Sequence, residues 1–138
     1  MSRPAALVLG ALALATVVAA VLVQRAKDAP ALVRDVAVTP VFTPNGDGVH
    51  DRAAIRLTPG RRDRVSLTIL DAHGRAVRHL VRGRPKRRGR ELRARWAGRT
   101  DAGAPAPDGT YRVRVELPRR GRELELLDTI RLRGGRGR

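Results

Sequence analysis

Thr110-Tyr111-Arg112-Val113-Arg114-Val115-Glu116-Leu117 alternates its side chains without a break. Successive residues of a strand point to opposite faces, so Tyr111, Val113, Val115 and Leu117 share one face and the charged residues take the other. A helix would scatter both sets around its circumference. The same period recurs upstream. Ala53, Ile55 and Leu57 alternate with Arg52, Ala54 and Arg56; Val65, Leu67 and Ile69 with Arg64, Ser66 and Thr68; Leu92, Ala94 and Trp96 with Glu91, Arg93 and Arg95. Weaker strands are expected at residues 34–39 and 75–82, and residues 122–132 read as one strand or a bent pair. Seven short strands, each half apolar, predict an all-β fold: an antiparallel β-sandwich of about seven strands over residues 34–132. A parallel sheet would need strands apolar on both faces.

Turn chemistry punctuates the strands. Thr58-Pro59-Gly60 ends one, Asp71-Ala72-His73-Gly74 joins two, and Pro107-Asp108-Gly109 precedes the last long one. Residues 98–109 read as a long spacer loop rich in Ala, Gly and Pro. Phe42, Trp96 and Tyr111 are the only aromatics. Trp96 and Tyr111 are expected to seal the core, at about 150–250 Å² of buried surface each.

Phe42-Thr43-Pro44-Asn45-Gly46-Asp47-Gly48-Val49-His50-Asp51 admits two readings. Its oxygen-bearing side chains fall on Asn45, Asp47 and Asp51. Counted from Thr43 as in an EF-hand loop, Asn45 takes position 3, Asp47 position 5, Gly48 position 6, the Val49 carbonyl position 7 and Asp51 position 9. Thr43 stands where the first Asp belongs, and Ala54 where the bidentate Glu belongs. The metal reading is therefore a weak calcium site at Asn45, Asp47, Val49 and Asp51. The other reading is a network of Asx turns fixing the entry to strand 52–58. Calcium is the one cofactor these residues suggest, and the fold requires none.

The charge is lopsided. The 138 residues carry a net +16, and Arg supplies 27 of the 29 basic side chains, which is consistent with a GC-rich coding bias as well as with a polyanion-seeking surface. Arg82, Arg84, Lys86, Arg87, Arg88 and Arg90 form the densest run and are the candidate polyanion contacts. No aromatics interleave them, so base stacking has little to work with. Catalysis finds no foothold. There is no cysteine; His50, His73 and His79 do not share a helical i,i+4 spacing; Ser2 and Ser66 lie in no nucleophile-elbow sequence.

Residues 1–4 form a short basic N-terminus before an uncharged apolar run at 5–23. As a helix the run reaches about 28 Å, close to a hydrocarbon core of about 30 Å. It is expected to be a membrane-spanning signal anchor, or else a cleaved secretory signal, in which case the rest is secreted. Arg25, Lys27 and Arg34 behind the run favour a cytoplasmic domain by the positive-inside rule, whereas the basic-then-apolar order favours export. A linker at 24–33 and an Arg/Gly tail at 133–138 flank the expected domain.

The order of FTPNGDGVHD, VSLTILDAHGRAVRHL, Trp96-Ala97-Gly98-Arg99-Thr100-Asp101-Ala102-Gly103 and Pro107-Asp108-Gly109-Thr110-Tyr111 resembles the FlgD-like immunoglobulin domain family, named for the outer domain of the flagellar hook-capping protein. The resemblance covers residues 34–132. It implies an Ig-like or fibronectin III-like sandwich and a non-catalytic, extracytoplasmic accessory or adhesion role. His50 stands where the family commonly has Asn, and Ala97 where Asp often follows the Trp. The hook-assembly part has no counterpart, so a flagellar role does not carry over. The expected protein is a single-pass, membrane-anchored Ig-like module facing out of the cytoplasm, meeting anionic wall polymer, lipid headgroups or another envelope protein. The alternative is a cytoplasmic-facing, basic, nucleic-acid-associated protein.

Overall fold

A computed structural model of the chain describes residues 3–27 and 32–134. The chain divides into two units, Met1–Ala31 and Leu32–Arg138. Within the expected linker, residues 28–31 lie outside the described residues, as do residues 135–138 of the expected tail.

The first unit holds one helix, α1 (Arg3–Lys27). Ala and Leu dominate it, and both are strong helix formers. The Thr16 hydroxyl donates back to the Leu12 carbonyl at 2.9 Å, which satisfies a polar group inside an apolar run. Among the described residues no helix is long and apolar enough to cross a membrane. Side chains are described for residues 7–21, all exposed. The expected membrane-spanning helix is thus present as a helix and unsupported as a span.

The second unit is a sandwich of two sheets. A three-stranded sheet runs β1 (Val33–Val38), β3 (Ala53–Pro59), β6 (Leu92–Trp96). The larger sheet runs β2 (Val41–Phe42), β9 (Ile130–Leu132), β7 (Gly109–Leu117), β4 (Asp63–Leu70), β5 (Ala76–Lys86), with β8 (Arg122–Glu125) beside β7. The count is nine strands rather than seven. Residues 122–132 split into β8 and β9, which pair with different stretches of β7. The ninth is β2, whose two residues pair in parallel with β9, so the larger sheet is mixed and not wholly antiparallel.

The alternating faces close on one another. Ile55, Leu57, Val65, Leu67, Ile69, Leu92, Val113 and Val115 have no exposed surface. Trp96 and Tyr111 seal this interior as expected, and Phe42 joins them. The Trp96 ring meets Phe42 at 5.3 Å and Tyr111 edge-on at 4.8 Å between centroids. Each polar tip finds a carbonyl: Trp96 Nε1 donates to Arg99 at 2.9 Å, and the Tyr111 hydroxyl donates to Pro107, four residues upstream. Burial, reinforced by the nearby Asp71 and Asp108 charges, pushes the Tyr111 phenol above its ordinary range.

Strand β5 departs most from expectation. It runs to Lys86 and not to 82, taking part of the basic run into the sheet. Its eleven residues, 76–86, face the eight residues 63–70 of β4, and three register shifts absorb the difference. One lies at Arg82-Gly83, since Val65 pairs with Arg84 and Leu67 with Val81. Gly83 adopts φ +54°, and its amide donates to the Ser66 hydroxyl at 2.8 Å in place of a ladder carbonyl. Bulges twist this sheet edge and blunt it against strand addition.

Candidate functional site

The loop before β3 is a closed circuit of Asx turns. Asp47 accepts from the Val49 amide at 2.7 Å and from Asn45 Nδ2 at 2.9 Å. Asp51 accepts from the Gly46 amide at 2.8 Å and the Gly48 amide at 2.6 Å. Asn45 Oδ1 accepts from the Asp47 amide at 3.0 Å. Gly46 and Gly48 sit at φ +80° and +84°, turning those amides inward toward Asp51. The Val49 amide, first, and the Asn45 side chain, next, hold the Asp47 carboxyl below the usual carboxylate range.

The structure thus brings Asn45, Asp47, Val49 and Asp51 together, but every side-chain oxygen of the three polar residues already faces an N–H. Among the described residues no group of three or more His, Cys, Asp or Glu side chains stands ready for a metal. The described geometry contains the expected Asx turns at the entry to β3.

The hairpin after Trp96 is tighter than a spacer. Thr100 donates to Ala104 at 2.8 Å and Ala106 to Gly98 at 2.8 Å. Asp101 pins it to β5: its carboxylate accepts from the His79 amide at 2.9 Å and meets His79 Nδ1 at 2.6 Å. Those two bonds draw the Asp101 carboxyl below its ordinary range, with Arg82 a smaller contributor. Gly98 is forced. It has φ +73°, and a Cβ there would lie 3.0 Å from Leu132 Cδ1 and 3.1 Å from Pro44 Cγ.

The basic run is distributed over two features. Arg82, Arg84 and Lys86 lie on β5, while Arg87, Arg88 and Arg90 lie in the exposed connection to β6. Sequence reasoning missed what stands opposite. β5 ends the large sheet and β6 ends the small one, and an open cleft of about 380 Å³ runs along the seam. Arg82 and Arg84 line it from β5 and Arg93 and Arg95 from β6, together with Leu80, Val81 and Ala94. Arg93 is held by Glu91 at 2.6 Å. Among the described residues Arg84 and Arg95 take no ion-pair partner. Arg93 also lies directly across the ladder from the exposed Arg56, a like-charge pairing that weakens a sheet.

Comparison with known proteins gives the family and the fold. The model of the FlgD Ig-like domain matches residues 44–121, more than half of the chain. Among solved structures, the chain is similar to dimeric latent PorU from Porphyromonas gingivalis, at 22% identity and a TM-score of 0.50, over 76% of this chain and 10% of that one. It is also similar to FlgD from P. aeruginosa, at 19% identity and a TM-score of 0.49, over 72% of this chain and 74% of that one. This chain therefore spans about a tenth of the PorU chain, and the likeness to PorU shows the fold alone. No curated protein matches the sequence.

Proposed function

The chain belongs to the FlgD Ig-like domain family, and from that premise we propose that it is a non-catalytic interaction module of the bacterial envelope. In this reading α1 tethers the chain to the membrane, and the sandwich lies outside the cytoplasm, where it contacts an anionic envelope component through Arg82, Arg84, Lys86, Arg87, Arg88 and Arg90. The observation that carries the reading is the contrast between a sealed apolar interior and a basic seam in which Arg84 and Arg95 take no ion-pair partner among the described residues. An apolar helix with every described side chain exposed supports the tether, because such a surface is stable only against hydrocarbon or protein.

Alkaline phosphatase fused to the carboxyl end tests the compartment. An active fusion is expected. An inactive one, with a cytoplasmic reporter active in its place, would favour the nucleic-acid-associated alternative.

A further inference from the structure

We infer that the seam between β5 and β6 is a binding cleft for a linear polyol-phosphate polymer, a chain of phosphodiesters joined through short polyols. The inference rests on the envelope reading above and gives its polyanion contact a place and a ligand class.

The first observation is facing charge. Arg82 and Arg84 stand across the cleft from Arg93 and Arg95. Only Glu91 offsets the eight basic side chains of residues 82–95. Glu91 holds Arg93, while Arg84 and Arg95 take no ion-pair partner among the described residues, so an anion in the concavity would relieve their charge, and the planar fork of Arg suits phosphate oxygens.

The second is spacing. Arg93 and Arg95 occupy one face of a regular strand, two rises or about 6.7 Å apart. A phosphodiester chain with a three-carbon polyol in each repeat has six backbone bonds between phosphates, on the order of 7 Å when extended. Successive phosphates therefore match successive arginines along β6. The walls leave the cleft open, so a chain can lie lengthwise in it.

The third observation separates this ligand from other polyanions. Phe42, Trp96 and Tyr111 are all buried, so the unit offers no aromatic platform to an unstacked base. The arginines line a concavity, whereas lipid headgroups present their phosphates in a plane.

The test is fluorescence anisotropy of a labelled glycerol-phosphate oligomer titrated with the full chain in nonionic detergent, across a range of salt. Binding is expected to weaken as salt rises, with a log–log slope of about −0.7 for each phosphate neutralised. Arg82→Ala/Arg95→Ala, one change on each wall, is expected to weaken binding at least tenfold and flatten that slope. Arg122→Ala/Arg131→Ala, equal in charge but exposed on β8 and β9 away from the cleft, is expected to weaken it less than threefold. Equal losses in the two variants would overturn the cleft, as would tighter binding to phosphatidylglycerol vesicles or to single-stranded DNA of equal charge. Melting curves of both variants confirm that they fold. An active phosphatase fusion with no oligomer binding overturns the cleft alone. Cleft-dependent binding with an inactive fusion upholds the cleft and overturns the envelope reading.

Discussion

The loop at residues 43–51 and the seam at residues 82–95 are two polar regions of the sandwich, and they use their charge in opposite ways. In the loop, each carboxylate oxygen of Asp47 and Asp51 meets an N–H from within the loop itself. In the seam, Arg84 and Arg95 line an open cleft with no ion-pair partner among the described residues. The first arrangement is complete and stabilises the chain that makes it. The second is incomplete and is relieved only by something from outside. Charge density alone does not distinguish structure from binding; whether the partners are internal does.

The comparison breaks most readily at Gly98, where the loop rests on the core. Gly98→Ala places a methyl against Pro44 and Leu132 in a left-handed backbone. It should cost about 2–4 kcal/mol and loosen the loop while leaving the seam intact. Chemical denaturation measures the loss, and unchanged anisotropy of the glycerol-phosphate oligomer shows that the seam survives. A smaller effect follows from Asp51→Ala, which removes the charged acceptor of two exposed amides. About 2 kcal/mol is expected, and the Asp51→Asn variant should recover part of it.

Acid should separate the regions further. Asp47 has a folded pKa below its unfolded value, so its contribution is complete above the unfolded value of about 4 and is lost as pH falls through the folded one. Asp71, lowered chiefly by the Arg75 amide, and Asp101 act in the same window and the same direction. Melting temperature should therefore fall below about pH 4, and the fall should be shallower in Asp47→Asn.

At the seam the expected sign is reversed. Arg84→Ser/Arg95→Ser removes two unpaired charges, so stability should hold within about 0.5 kcal/mol and rise slightly at low salt. A large destabilisation would mean that these arginines serve the fold. The smallest change expected is at His50, held at φ +53°. His50→Asn restores the residue common in the family, one better suited to left-handed backbone, and should stabilise by less than about 1 kcal/mol.

Much of the sandwich was legible because burial imposes a two-residue period, and β3, β4, β6 and β7 keep it. Strand β2 was hidden because two residues cannot show a period, and its parallel partner lies some ninety positions away. The end of β5 was hidden for another reason: bulges spoil the alternation, so that Val77, Leu80 and Val81 all pack against the core. The turn network and the metal loop share the same residue types, so only the amide directions set by Gly46 and Gly48 separate them. Arg93 and Arg95 read correctly as the outer face of a strand. That β5 would stand across from them is a fact of topology, which no local pattern carries.

The most direct test of this account is the melting temperature of the full chain in nonionic detergent, recorded with millimolar Ca²⁺ and, separately, with the glycerol-phosphate oligomer at low salt. The expected result is a rise with the oligomer, absent in Arg82→Ala/Arg95→Ala, and no shift with Ca²⁺. A rise with Ca²⁺ that Asp47→Ala abolishes, together with no response to the oligomer, would mean that the loop is the binding region and the seam is inert.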